Sequence, residues 1–385
     1  MLRLLTLNTW GTPYSNDVSI RMNATVALIK RLQPDIIALQ EVFLERSRKQ
    51  ILKALSDEWP HYHAFLSGMI GSGLLTLSRY PIRDVNFYTF RMSGKPERIW
   101  QGDYYGRKGI GVLRLDTPYG LLDVYNTHTH AQYQPELDNE YALFTDTNLY
   151  EAARFINIYS RDVPVILCGD LNTRPEQLGY ELVVEIAQVT DFHASLCPND
   201  PGYTFCPDNY YVKSTTYERL DYVMGRNVQP TSITILNAPP EDNDGVVAFS
   251  DHYGLVATFD LAQRQSTQTN TATKAEVLSI FDQRINKELA AVRRRRSRYS
   301  ERILTAFAVM LDLFLFFGFY RRIIPLLTPR LRRWVVMSSL VYGAMSFVYD
   351  QLNLRSREQT LSAFQHEIRV HLTNVADQTL AGAGD

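Results

Sequence analysis

The run VPVILCGDLNTRP (163–175) constrains the fold more than any other stretch of this chain. Its apolar, β-branched half suits a strand buried on both faces, and Arg174 and Pro175 cannot extend it. Asp170 and Asn172 place a carboxylate and an amide at the lip of that strand, where burial without partners is expensive. The strand end is therefore expected to be solvated or to face a cation. The same pattern recurs in LRLLTLNTW (2–10), DIIALQEV (35–42), GLLTLSR (73–79), GIGVLRL (109–115), LLDVYNTHTH (121–130), RLDYVMG (219–225) and DHYGLVATFDL (251–261). Helical spacing fills 18–33, 44–57, 138–160 and 177–187, which predicts one α/β or α+β domain over residues 1–262 with substantial sheet.

The formal net charge of −1 hides two opposed halves: residues 264–385 carry 18 Lys+Arg against 10 Asp+Glu, net +8, and the preceding residues are net −9. An acidic folded part grips a polyphosphate poorly, whereas a basic, apolar tail suits an anionic membrane surface, so no nucleic-acid partner is expected. Cys168, Cys197 and Cys206 are odd in number and lack metal-ligand spacing, which favours a reduced, cytosol-facing compartment. The opening MLRLLTLNTW lacks the long apolar run of a secretory signal, so export is not expected.

After residue 262 the pattern changes. QRQSTQTNTATK (263–274) reads as a linker, 275–292 as an amphipathic helix, and RRRRSRYSER (293–302) as a basic segment. ILTAFAVMLDLFLFFGFY (303–320) and WVVMSSLVYGAMSFVY (334–349), separated by a loop with five Arg, have the lengths of a membrane hairpin, and 350–385 is left as an amphipathic helix and tail. As helices these 18 and 16 residues rise about 27 and 24 Å against a hydrocarbon core of roughly 30 Å. Asp312 adds about 2.5–3.5 kcal/mol to insertion, and Arg flanks on both sides leave a double crossing, a dip into one leaflet and a buried oligomer interface all open.

Chemistry-bearing residues collect where the apolar runs end: Asn8, Glu41, His128, His130, Asp170, Asn172, Asp251 and His252. Each has a structural alternative, as a turn former, a helix-entry carboxylate or a sheet histidine, but strands that deliver their ends to one rim would gather them in one pocket. Carboxylates with amide and imidazole neighbours and no Cys ligand suit Mg²⁺, with Mn²⁺ as an alternative. Such an ion beside a histidine able to take a proton from water describes metal-assisted phosphodiester hydrolysis. SGMIGSGL (67–74) lacks the spacing and the Lys of a nucleotide-binding loop.

The ordered series TLNTWG, LQEV, GDLNTRP, RLDYV and SDH resembles the endonuclease/exonuclease/phosphatase superfamily. TLNTWGTPY, SGMIGSGLLTLSRYPI, QGDYYGRKGIGV, NTHTHAQY, CGDLNTRPEQLG and RLDYV resemble, more narrowly, the neutral sphingomyelinases that carry a C-terminal pair of membrane helices. The resemblance implies a four-layer sandwich of two mostly antiparallel sheets flanked by helices, followed by a helical membrane hairpin. It implies Glu41 as the Mg²⁺ ligand, Asn8 and Asn172 orienting phosphate, water or the ion's shell, and His252 as general base, with Asp251 its supporting or metal-linked carboxylate. Asp170 would orient the nucleophile or leaving group, His128 would stabilise phosphoryl charge, Lys108 would neutralise a phosphate oxygen, and Asp221 would support the site. Gln132 replaces a family carboxylate, which leaves its role open.

The implied reaction is Mg²⁺-dependent hydrolysis of sphingomyelin to ceramide and phosphocholine at a membrane surface. Lysophosphatidylcholine-like lipids, nucleic acid, or a non-enzymatic membrane scaffold are the alternatives. The resemblance and the short apolar segments imply a membrane-anchored enzyme whose catalytic domain faces the cytosol at the endoplasmic reticulum or nuclear envelope. Trp100, Tyr104 and Tyr105 are candidates for contact with lipid or a quaternary ammonium, or for loop packing.

Overall fold

Strand parity sets the architecture. In the computed structural model, which describes residues 1–134, 140–237, 248–261, 271–316, 319–320, 322 and 328–382, β1 (Leu2–Asn8) turns Leu2 and Leu4 to one side and Leu5 and Leu7 to the other, and all four are buried. A strand covered on both faces reads as a continuous apolar run, which is why these segments were legible as core. α1 (Val18–Leu32) follows, burying Val18, Met22, Thr25, Leu28 and Ile29 at helical spacing and stopping at Gln33 in the left-handed region ahead of Pro34. Then come β2 (Ile36–Gln40), α2 (Glu45–Leu55), β3 (His61–Phe65), β4 (Leu74–Ser78), β5 (Ile82–Thr89), the short α3 (Asp103–Gly106), β6 (Gly109–Thr117) and β7 (Gly120–His128). α4 (Ala142–Tyr159), β8 (Val165–Asp170), α5 (Leu178–Ala187), β9 (Thr190–Asp191), α6 (Phe192–Leu196), β10 (Asp221–Arg226), β11 (Val228–Leu236) and β12 (Gly254–Leu261) complete the order.

Two six-stranded sheets result, ordered β11-β12-β1-β2-β4-β3 and β5-β6-β7-β8-β10-β9. Each holds one parallel pair at its centre, β1 with β2 and β7 with β8, and is otherwise antiparallel. The parallel pairs are crossed by α1 and α4, as parallel neighbours require a long return. Leu2, Leu4, Ile36, Ala38, Leu113, Leu115, Val124, Ile166, Cys168, Val223, Ala257 and Phe259 form the seam between the sheets. The opposite faces of β1, β2 and β4 pack Leu5, Leu7, Ile37, Leu39 and Leu75 with Met22, Ile29, Ile51 and Leu55 of α1 and α2. Phe155 of α4 lies edge-on to Tyr125 at 5.9 Å and stacks on Tyr88 at 5.7 Å, covering the second sheet. The two mixed sheets flanked by helices match the expected sandwich; truncating one seam residue, such as Leu4→Ala, should cost about 2–5 kcal/mol.

The chain divides into two compact units, Met1–Val277 and Leu278–Asp385. The expected linker lies outside the described residues up to 270. From Thr271 the backbone is helical, and α7 (Thr271–Leu315) includes the expected amphipathic helix and the basic segment. In the second unit Leu278, Phe281, Ile285, Leu289 and Val292 form a buried stripe at helical spacing, as do Leu354, Leu361, Phe364 and Ile368. Ion pairs Arg357–Glu288 and Arg293–Glu358, each 2.9 Å, join these two helical stretches.

Among the described residues no helix is long and apolar enough to cross a membrane. The expected first apolar segment is helical to Leu315, with 317–318 outside the described residues. The second lies within the helix Pro329–Tyr349, whose first turns carry Arg330, Arg332 and Arg333.

Candidate active site

The site is the open end of the inter-sheet seam, where strand parity carries polar residues onto the face that was apolar a few positions earlier. Asn8 shares its side of β1 with Leu2 and Leu4, Asn126 and His128 share theirs with Leu122 and Val124, Asp170 follows Ile166 and Cys168, and Asp221 precedes Val223. Gln40 closes the floor, donating to Asn126 Oδ1 at 2.7 Å and Thr6 Oγ1 at 3.0 Å, with Asn126 donating on to Thr76 Oγ1 at 3.1 Å.

Asp170 is the centre. On one side it is the register partner of His128 across β7 and β8, and on the other of Asp221 across β8 and β10. Its Oδ2 accepts from Asn8 Nδ2 at 2.9 Å and lies 3.4 Å from His128 Nε2 and 3.9 Å from His252 Nε2. Its Oδ1 accepts the Asn172 backbone N–H at 2.9 Å, which holds the left-handed turn at Asn172 (φ 44°). The approach of β7 is tight: a Cβ at Gly169 (φ 129°) would lie 2.1 Å from the Thr127 carbonyl oxygen, so only glycine fits before Asp170.

Glu41, also left-handed at φ 57°, follows β2 and accepts from Asn8 Nδ2 at 3.2 Å. Asn8 thus bridges two carboxylates as a donor, while its Oδ1 accepts the Trp10 N–H at 3.0 Å. The expected ligand role of Asn8 would use the second lone pair of that oxygen. Asn172 Nδ2 donates to Thr129 O at 3.2 Å, tying the two strand exits together.

The carboxylate that holds His252 is Asp221, not Asp251: Asp221 Oδ2 lies 2.8 Å from His252 Nδ1. Thr204 fixes the pair, its Oγ1 accepting Asp221 N–H at 3.1 Å and its carbonyl accepting Tyr253 N–H at 2.7 Å. Asp251, expected as the supporting or metal-linked carboxylate of His252, is half-buried and accepts from the Ser250 hydroxyl at 3.1 Å; its charge favours the protonated imidazole, after Asp221 and Asp170. With Nδ1–H given to Asp221, His252 presents Nε2 toward Asp170. Burial opposes protonation of His252, but Asp221 and then Asp170 outweigh it and hold the imidazole well above its ordinary range.

The Lys108 ammonium forms an ion pair with Asp103 at 2.8 Å, donates to the Thr129 carbonyl at 2.8 Å and donates to His128 Nε2 at 2.9 Å. It brings positive potential to the site. Burial first, and Lys108 second, push His128 well below the ordinary imidazole range, which keeps it neutral. Asp103, held down by Lys108 and His130 against its burial, was not singled out from sequence; its one signal is a carboxylate five residues before Lys108.

His130 lies outside the catalytic group. It stacks on Phe144 at 4.7 Å and Tyr141 at 5.6 Å as a buried aromatic. Gln132 pairs reciprocally with Gln177 and donates to the Asn172 carbonyl at 2.9 Å, which braces the loop after β8. Tyr105 packs into its loop through a hydrogen bond to Pro96 O at 2.9 Å, whereas Trp100 is 92% exposed.

The donor set fits a divalent cation. Glu41, Asp170, Asp221 and Asp251 all lie in this group, and one ligand atom each from Asp170, Asp221 and His252 falls within 4.8 Å of the others. Burial, with neighbouring carboxylates adding, raises Asp170 and Asp251 to about 6 and also raises Glu41. Clustered carboxylates held at such values are what an oxygen-seeking cation would relieve.

The Endonuclease/Exonuclease/phosphatase family model matches residues 5–252. Over 290 residues the chain is 31% identical to "Sphingomyelin phosphodiesterase 2" of Homo sapiens, covering 71% of this chain and 67% of that protein. Over 275 residues it is 32% identical to the Rattus norvegicus protein of the same name, covering 67% of this chain and 64% of that one. The chain thus spans about two thirds of the length of these curated relatives. A crystal structure of beta toxin from Staphylococcus aureus shares the fold, with a TM-score of 0.55 at 18% identity over 67% of this chain and 99% of that one. Family match and strand-end geometry agree, and the chain belongs to the endonuclease/exonuclease/phosphatase family.

Proposed function

We propose that this protein is a divalent-metal-dependent phosphodiesterase that hydrolyses sphingomyelin to ceramide and phosphocholine at a membrane surface. The observation that carries the reading is the buried Asp170–His252–Asp221 group at the seam's open end, in a chain about 30% identical to sphingomyelin phosphodiesterases.

Asp221 holds His252 by Nδ1–H, so Nε2 faces the pocket and takes a proton from water as its oxygen attacks phosphorus. The P–O bond to the ceramide oxygen breaks, and that oxygen gains a proton from solvent. Asp170 orients the water from beside His252 Nε2, and Lys108, held by donating to His128 Nε2, supplies positive charge toward the phosphoryl oxygens. Glu41, with Asp170 and Asp251 near it, would hold Mg²⁺ or Mn²⁺, which when bound polarises a phosphoryl oxygen and steadies the departing alkoxide.

Membrane attachment through 303–320 and 334–349 is part of the proposal. Leu304, Phe307, Phe314, Trp334, Met337, Met345 and Val348 are exposed, as segments lying in or against lipid would be. A cytosol-facing active site at the endoplasmic reticulum or nuclear envelope accords with three free cysteines and with short apolar segments.

The test is release of phosphocholine from sphingomyelin in mixed micelles with and without EDTA, beside lysophosphatidylcholine and supercoiled plasmid, using His252→Ala as the blank. Metal-dependent turnover of sphingomyelin above the other two is expected. Plasmid nicking without lipid turnover would reassign the substrate to nucleic acid, and metal-independent release equal in the blank would end the proposal.

A further inference from the structure

Arg21 has none of its surface exposed, although it sits on a helix whose other buried residues are mostly apolar. Its guanidinium bonds backbone carbonyls: Nε donates to Asn16 O at 2.9 Å, Nη1 to Thr9 O at 2.7 Å and Phe249 O at 3.4 Å, and Nη2 to Trp10 O at 2.9 Å. The Trp10 and Tyr211 rings lie near it, with centroids 4.8 and 5.4 Å from the guanidinium carbon.

Those acceptors lie on two segments that carry the site. Thr9 and Trp10 follow Asn8, and Phe249 leads into Ser250, Asp251 and His252. The β1–β12 ladder that would otherwise register these segments stops at Thr6 and Leu255, short of both. Beyond that point the guanidinium bridges them. Trp10 is itself left-handed (φ 47°), a conformation that persists only where its surroundings fix it. Asn209, from a third segment, holds only the second of the two, donating to Ser250 O at 2.9 Å.

We infer that Arg21 is a positioning residue for the reaction: its guanidinium replaces the missing end of the β1–β12 ladder and sets Asn8 against Asp251 and His252. It touches no reacting atom and acts through the backbone of both loops. Lysine would keep the charge but not the planar fork, whose three separate nitrogens here reach four carbonyls. What the reaction is rests on the proposed phosphodiesterase activity. That the loops need this bridge does not.

The experiment compares Arg21→Lys, Arg21→Ala and Arg21→Gln in the full chain by kcat and KM for phosphocholine release, by melting temperature, and by Mg²⁺ affinity from the metal-induced shift in that temperature. For Arg21→Lys, kcat should fall about 100-fold, the order expected for a displacement near 1 Å, with KM within about threefold. Mg²⁺ affinity should weaken about tenfold or more, and added guanidinium at low concentration should restore at least part of kcat to Arg21→Ala. A kcat and Mg²⁺ affinity within about threefold of the parent, or a lowered melting temperature as the sole effect, would overturn the inference. Should Arg21→Lys and Arg21→Ala both fail to fold, Arg21→Gln, which keeps a planar amide donor but not the fork, decides: a loss of about tenfold in kcat supports the bridge, and parental kcat with parental Mg²⁺ affinity overturns it. A parent that releases no phosphocholine refutes the proposed activity, while the Mg²⁺ comparison still tests Arg21.

Discussion

Asp170 and Asp221 stand side by side as register partners on β8 and β10, and the His252 imidazole spans them, with Nδ1 2.8 Å from Asp221 and Nε2 3.9 Å from Asp170. Two like charges on neighbouring buried positions repel, so a cationic or cation-binding group between them is a condition of the fold as well as of the chemistry.

The first prediction concerns pH. As a base, His252 must be neutral at Nε2, but Asp221 and Asp170 overcome burial and favour its protonated form. The kcat/KM of the parent should therefore fall as pH drops through a value above about 6.5, the ordinary imidazole value, in a limb shared by the coupled group. Asp221→Asn removes the larger carboxylate influence, so the limb should move to lower pH. The plateau should drop about 10²–10⁴-fold because the imidazole loses its orientation. A rate profile between about pH 5 and 9 reads both, and an unmoved limb would remove Asp221 from control of His252.

The sequence revealed the centre of each sheet and missed its borders. β1, β2, β4, β6, β7, β8, β10 and β12 are interior and read as apolar runs, whereas β3, β5, β9 and β11 are the four edges. HYHAF, IRDVNFYT and VQPTSITIL mix polar and charged residues because edge strands are partly solvated, so their pattern resembles loop. Site residues at ends of interior strands were legible for the same reason, since Asn8, His128 and Asp170 interrupt apolar runs. What one dimension concealed was pairing. Nothing in RLDYV says that Asp221 faces Asp170, or that His252 reaches it rather than the adjacent Asp251. Arg21 was hidden too, because its partners are backbone carbonyls with no sequence signature.

A second prediction follows from the carboxylate cluster. Mg²⁺ at about 100 times its dissociation constant should stabilise the protein by about 2.7 kcal/mol. That corresponds to a rise of roughly 5–10 °C in melting temperature for a domain of this size. Glu41→Gln keeps the shape but removes a charge, and should weaken the metal at least about 10–100-fold, so the rise shrinks at the same concentration. EDTA should abolish turnover, and Mg²⁺ should restore it to the parent but not at equal concentration to the variant. A variant whose melting temperature responds like the parent's would exclude Glu41 as a ligand.

Thiol chemistry supplies a third. Cys168 lies within the inter-sheet seam, where burial pushes its thiol up to about 12, and its Sγ donates to Tyr125 O at 3.3 Å. Cys206 is buried and also raised by burial, while Cys197 is the more accessible of the three. Iodoacetamide on the native protein should label Cys197 first and leave Cys168 intact until denaturant is added, as peptide mapping by mass spectrometry can follow. Early labelling of Cys168 would mean the seam opens at this end.

The last prediction isolates how backbone places chemistry. Gly169 holds φ 129° with its Cα against the Thr127 carbonyl, and an added Cβ would lie 2.1 Å from that oxygen. Neither side can yield, because Thr127 and Gly169 are register partners in the parallel β7–β8 pair. Gly169→Ala must therefore push β8 away from β7 immediately before Asp170, or force that residue out of its conformation at about 1–3 kcal/mol of backbone strain. The side chains of the site are untouched, yet the distances from Asp170 to His128 and Asn8 change. Turnover should fall at least about 100-fold, the order expected for misplacement by 1 Å, in protein that still melts cooperatively a few degrees lower. Parental kcat in Gly169→Ala would show that the close approach of β7 and β8 does not set the position of Asp170.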